Sequence, residues 1–260
     1  MKTVIIGSGN VAEALARALA TNGTPAVQVW ARNEERGREV ARLGESCWAG
    51  VKEELAEAEL YLISVSDRAI AEVAAALPFP KGAIVAHTAG CGTLEMLPEG
   101  VHRAVIYPFQ TFSAGRAVDF SRIFMFVEAE DEPTLARAKE FALTLTPNVL
   151  EASTEVRKHI HLCGVFGSNF VNCIYGCAAR VLEEAGLPFE VVVPVVEETV
   201  AKATASRNPS AVQTGPAVRG DVATMERHRE LLAGDELLRT IYDKISENIW
   251  RTKQEKTSKR

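Results

Sequence analysis

Along a helix, at about 100° per residue, His161, Ser168 and Asn172 fall within about 20° of one line, and Asn169 flanks it. Imidazole is the side chain best suited to exchange a proton near neutral pH. A hydroxyl and two amides beside it are groups that orient a substrate. The surrounding segment, residues 162–179, carries no Asp, Glu, Lys or Arg. A helix that is apolar except for one polar face points to a central, buried element whose polar groups must find a partner, water or ligand. The segment approaches the length of a membrane span. Ser168, Asn169, Asn172 and the glycines 164, 167 and 176 favour burial in protein instead.

A second chemistry sits at the start of the chain. The apolar run 2–6 reads as a strand covered on both faces. It leads into Gly7-Ser8-Gly9-Asn10-Val11-Ala12, and a helical pattern follows, with Val11, Leu15 and Leu19 spaced by four. A glycine-rich turn between a strand and a helix is the setting in which this pattern binds a dinucleotide. Gly7 permits the tight turn, Gly9 lets the backbone approach a pyrophosphate, and Ala12 allows close helix–strand packing. The helix start offers N–H groups to the phosphates.

The next strand ends in Trp30-Ala31-Arg32-Asn33, without the acidic residue that bonds an unphosphorylated ribose. Arg32 can pair with a 2′-phosphate, with Asn33 and Arg36 beside it, so NADP is favoured over NAD. Further strand ends carry Ser64-Val65-Ser66, Thr88-Ala89-Gly90-Cys91-Gly92 and Tyr107-Pro108-Phe109-Gln110-Thr111-Phe112. These are expected to form a cleft wall, with Gln110 reaching the substrate. Thr214-Gly215-Pro216-Ala217-Val218-Arg219-Gly220-Asp221 is a glycine-bounded turn into a helix, where Arg219 can hold an anionic substrate group.

These residues need a scaffold. Strands are expected at 2–6, 26–30, 60–65, 83–87, 103–107 and 123–127, with helical patterns between the early ones, and Asn33 should cap a helix over 34–43. Alternating strands and helices imply a parallel sheet wound on both sides. Near Thr146-Pro147-Asn148 the strand signals stop. Helices are expected at 155–185, 189–205, 221–233 and 235–251. This divides the chain into a sheet domain, 1–150, and an all-helical domain, 151–260.

The length of 260 residues accommodates two such domains, and 47% hydrophobic with 24% charged residues is ordinary for a globular protein. A net charge of −5 gives no footprint for nucleic acid. The one basic cluster, Arg251 to Arg260, reads as a solvated helix end. Five cysteines, an odd number without C-x-x-C spacing, suggest free thiols and a cytoplasmic protein. No metal site and no membrane or nucleic-acid partner are expected.

Gly7 to Ala12, Trp30 to Asn33, Tyr107 to Ser113, His161 with Ser168-Asn169-Phe170, and Gly215-Pro216 with Arg219-Gly220-Asp221 together resemble one bacterial family. In it a Rossmann-like NADP-binding domain precedes a helical domain of unassigned function. Its wider relatives are pyrroline-5-carboxylate reductase, ketopantoate reductase, deazaflavin-dependent NADP reductase and the 6-phosphogluconate dehydrogenase superfamily. The resemblance spans about residues 2–250. It implies an NADP-dependent oxidoreductase acting on a small C=O or C=N substrate, with a helical domain that dimerises. Hydroxyacid dehydrogenases of that superfamily place Lys and Asn four apart on the central helix. Here Lys158 is followed by Leu162, so His161, Ser168, Asn169 and Asn172 are the expected catalytic set. A non-catalytic NADP(H)-binding module and a transferase are the alternatives.

Overall fold

The computed structural model describes residues 1–258; Lys259 and Arg260, the end of the basic cluster, lie outside the described residues. The chain forms two compact units, Met1–Phe170 and Val171–Arg260. Their boundary falls inside the long helix, between Phe170 and Val171.

In the sheet unit the order along the chain is β1 (Thr3–Ile6), α1 (Asn10–Thr21), β2 (Gln28–Trp30), α2 (Glu34–Leu43), β3 (Cys47–Ala49), β4 (Leu60–Ile63), α3 (Ile70–Ala76), β5 (Ile84–His87), β6 (His102–Phe109), β7 (Phe124–Ala129), α4 (Glu132–Leu143), β8 (Val149–Glu151) and α5 (Thr154–Gly164). The strands form one sheet ordered β3-β2-β1-β4-β5-β6-β7-β8. Its first six positions follow the doubly wound Rossmann order, with the direction of winding reversing between β1 and β4. The expected strands are all present. The sheet is mixed rather than wholly parallel, since β7 pairs antiparallel with β6.

Core residues divide between the two sheet faces. Ile5, Leu62 and Ile106 pack with Leu15 and Leu19 of α1 on one side. Ile6, Tyr61 and Ile63 pack with Ile70 and Val73 of α3 on the other. Consecutive residues of one strand thus feed opposite cores, which is why these strands read as unbroken apolar runs.

A π-helical stretch, Val165–Phe170, continues α5 and leads into α6 (Val171–Glu184). The second unit adds α7 (Val193–Ala205), α8 (Pro216–Arg219), α9 (Val222–Leu231) and α10 (Glu236–Ser258). Asp221 caps α9 by accepting from the Thr224 amide at 3.1 Å. Within this unit Ala217 of α8 and Leu238 of α10 are buried.

The expectation of a buried helix over 162–179 is not met. None of those residues is buried, and Phe166, Phe170 and Ile174 are exposed. Thr154–Glu184 is also long and apolar enough, by length and composition, to cross a membrane. A core and a helix–helix interface draw on the same apolar and small residues, so composition alone does not separate them.

Candidate active site

The switch point of the sheet builds the first part of the site. The Gly7 amide donates to the Trp30 carbonyl at 2.8 Å, and the Ser64 amide to Ile6 at 2.7 Å. At φ +124°, Gly7 has a backbone conformation that L side chains rarely adopt. A Cβ there would collide with the Ser64 carbonyl. Gly9 caps α1 without any side-chain hydrogen bond, leaving the first amides of the helix to an outside acceptor.

Behind the turn lies an ion cluster that the sequence reading did not find. Glu13 is buried, and its carboxylate accepts from Arg17 at 2.9 Å, from Arg36 and from the Gly115 amide at 3.1 Å. Burial raises the Glu13 pKa, but the bonds from Arg36, Arg17 and Gly115 outweigh it and hold the carboxyl below its ordinary value. Arg36, expected beside a 2′-phosphate, is occupied otherwise. Its guanidinium also binds Glu39 at 2.5 Å and the Ser8 carbonyl at 3.2 Å, so it braces the glycine turn from behind. Asn33 caps α2, accepting from the Arg36 amide at 2.9 Å. Arg32 is exposed and has no charged partner among the described residues.

The other end of the site rests on α5. Arg157, fully buried, anchors this helix by bonding Glu128 of β7 and the Gly92 carbonyl, each at 2.5 Å. Burial lowers the Arg157 pKa, and the Glu128 carboxylate opposes that shift. His161 follows one turn later. Its Nδ1 lies 3.3 Å from the Tyr107 hydroxyl.

A cavity of about 940 Å³ joins these parts. Gly7, Ser8, Gly9, Asn10 and Val11 line it with Arg32 and Asn33, as do Ser64, Val65 and Ser66. Tyr107, Phe109, Gln110, Thr111 and Phe112 line it with His161, Ser168 and Asn169. The expected residues at the three strand ends are thus partly assembled. The loop 88–92 does not line the cavity; its Gly90 packs against Tyr107 and His161 instead. Asn10 bonds the Phe112 carbonyl at 3.0 Å, tying the loop after β6 to the glycine turn.

Two expected site residues, Asn172 and Arg219, lie outside the first unit. Cys163, on the same α5 as His161, is also part of the lining. The π stretch closes its bonds over five residues rather than four, so faces drawn at 100° per residue do not carry through it. Asn172 lies beyond that stretch, in the second unit, as does the exposed Arg219 at the end of α8. Lys158 pairs with Glu155 at 2.6 Å on the exposed side of α5. Tyr107 and Phe109, expected in the cleft wall from their strand-end position, line the cavity; the contact of Tyr107 with His161 has no local signal in the sequence.

Comparison with known proteins decides the family. Residues 2–89 match the model described as NADP oxidoreductase coenzyme F420-dependent, and residues 123–249 match a domain of unknown function, DUF2520. A Bacteroides fragilis protein, described as a putative NADP oxidoreductase, is 38% identical over 96% of this chain and 98% of its own, with a TM-score of 0.87. The chain belongs to this NADP oxidoreductase family. Two more distant structures share the fold. One is a reductive aminase from Aspergillus terreus in complex with NADPH and ethyl levulinate, at 14% identity, TM-score 0.73, covering 96% of this chain and 94% of that one. The other is an imine reductase from Myxococcus stipitatus in complex with NADP+, at 15% identity, TM-score 0.58, covering 99% and 94%. Functionally curated proteins give no match.

The residues present fit the cofactor after which the NADP oxidoreductase family is named. The start of α1 presents unfilled amide donors, Gly7 keeps the turn tight, and Arg32 supplies an unpaired cation at the end of β2. An anionic dinucleotide needs that donor set.

Proposed function

We propose that the protein is a reductase that delivers a hydride from NADPH to the carbon of a C=O or C=N group in a small substrate. The observation carrying this reading is one cavity, lined at one end by the uncapped turn and Arg32 and at the other by Tyr107 and His161. When bound, the reduced nicotinamide supplies the hydride. The chain's own residues do the rest. Amides at Asn10, Val11 and Ala12 hold the pyrophosphate, and Arg32 with Asn33 selects the 2′-phosphate. Ser64, Val65 and Ser66 form the wall against which the dinucleotide lies. His161 gives a proton to the substrate oxygen or nitrogen. Ser168 and Asn169 orient the reacting group, assisted by Gln110 from the end of β6.

Among the described residues, the cavity lining contains no Lys or Arg besides Arg32. For Arg219 and Asn172, which lie in the second unit, the proposed roles are holding an anionic group and orienting a substrate. Exposed Phe166, Phe170, Ile174 and Val181, with glycines 164, 167 and 176 on the same long helix, support pairing with a second copy of this chain. Five free cysteines support a reducing, cytoplasmic location.

The test is NADPH titration followed by a panel of ketones, aldehydes and imines, monitored by loss of the reduced-nicotinamide absorbance. Turnover that falls in His161→Ala while NADPH affinity holds is the expected result. NADPH binding with no turnover across the panel would make the protein a non-catalytic dinucleotide module.

A further inference from the structure

Tyr107 touches the only histidine among the described residues that line the cavity. It sits at the carboxyl end of β6, its ring packed against Phe109 and Phe126 at centroid distances of 6.1 and 6.5 Å. Those contacts fix the ring, and its hydroxyl lies 3.3 Å from Nδ1 of His161. Gly90 closes over the pair. A Cβ there would come within 2.9 Å of both Tyr107 Cζ and His161 Nδ1, so the loop after β5 can pack here only without a side chain. Burial pushes the Tyr107 phenol up to about 12, with the nearby Cys91 and Asp67 adding to it and Arg157 opposing. The hydroxyl therefore keeps its proton at neutral pH and can donate. It also has lone pairs with which to accept.

In a neutral imidazole, the bond made at one nitrogen decides which nitrogen carries the proton. A phenol donating to Nδ1 leaves the proton on Nε2, for which no partner is found among the described residues. We propose that Tyr107 is a positioning residue that occupies Nδ1 of His161 and so makes Nε2 the atom that passes a proton to the substrate. The use of that proton rests on the reductase reading above; the Tyr107–His161 geometry does not. In the reduction, Nδ1 of His161 first takes one proton from a solvent hydronium ion, leaving water; His161 becomes imidazolium, and Nδ1–H turns to donate to the Tyr107 oxygen. The substrate carbon gains the hydride and its two electrons, and the C=O or C=N π bond breaks. The substrate heteroatom takes the Nε2 proton. Neutral imidazole remains with its proton on Nδ1, and the dinucleotide is left oxidised; Nδ1 then gives that proton to solvent water while Nε2 takes one from a hydronium ion, which restores the Nε2–H form that accepts from Tyr107.

The test combines a spectroscopic and a kinetic readout on the full-length protein. Histidine labelled with ¹⁵N reports its tautomer through long-range proton–nitrogen correlations, with His161 assigned by the signal lost in His161→Gln. In alkaline solution, the wild type should show Nδ1 as an acceptor and Nε2 as N–H. Tyr107→Phe keeps the ring packing and removes only the hydroxyl. It should move both nitrogens towards averaged values and lower kcat by about tenfold or more, with NADPH affinity unchanged. Gly90→Ala, which pushes the pair apart, should give the same spectral change. A wild-type Nδ1–H form, or nitrogen shifts identical in wild type and Tyr107→Phe, overturns the proposal. The wild-type signature and its loss in Tyr107→Phe, with no turnover of any substrate, would uphold the pairing and overturn the reductase reading alone.

Discussion

The two ends of the cavity are built in opposite ways. At the dinucleotide end, a backbone turn is locked into the sheet. Gly7 is held under Ser64, and Glu13, Arg17 and Arg36 brace it from behind. At the other end, His161 is exposed, sits on a helix none of whose residues beyond Arg157 is buried, and is held by the 3.3 Å contact with Tyr107 and the packing of Gly90. Backbone geometry buried in a sheet can be made rigid by local sequence alone. A reactive side chain on an uncovered helix depends on the few groups that touch it. Changes at the first end should therefore abolish binding or stability, while changes at the second should alter turnover.

The largest expected effect is at the turn. Gly7→Val demands a positive φ from a β-branched residue and drives Cβ into a carbonyl. It should destabilise the sheet unit by roughly 4 kcal/mol or more and abolish NADPH binding, as read by thermal unfolding and calorimetric titration. A variant that folds and binds normally would break the contrast between the two ends.

His87, under the wall of the site, comes next. It is fully buried, accepts from the Ala89 amide at 3.2 Å through Nδ1 and lies 3.1 Å from the Thr93 carbonyl through Nε2. Burial drives its pKa down to about 4, against the hydrogen bond to Thr93. Because the folded value lies below the unfolded one, the unfolded state binds more protons between them. Stability should then fall as pH drops from about 6.5 to about 4, by up to about 3 kcal/mol. Urea unfolding at stepped pH checks this, and His87→Gln should flatten the profile in that window.

At the helix end, His161→Ala should lower kcat by about a hundredfold while melting temperature and NADPH affinity stay near wild type. A loss of stability instead would mean that His161 holds the helix in place, a role the structure gives to Arg157.

Legibility from sequence follows the same division. The β1–turn–α1 unit is visible because a short apolar run, two glycines and a four-residue helical spacing are all local signals. The edge strands β3 and β8 escape because each spans only three residues and is partly exposed, so neither apolar run nor alternation develops. Arg36 reads as a free cation because Glu13, its partner, lies 23 positions away in the sequence. The π stretch leaves no mark in composition, so the polar stripe drawn through Asn172 is extended past the point where helical periodicity holds. Tyr107 is legible as part of the cleft wall, but its pairing is hidden because His161 lies 54 residues later.

The central claim, that one cavity binds NADPH with its 2′-phosphate at Arg32, is tested most directly by calorimetric titration of wild type and Arg32→Ala with NADPH and NADH. The wild type should prefer NADPH. Arg32→Ala should lose about ten- to a hundredfold in NADPH affinity, while NADH affinity barely changes. Equal loss for both dinucleotides, or none for either, would contradict it.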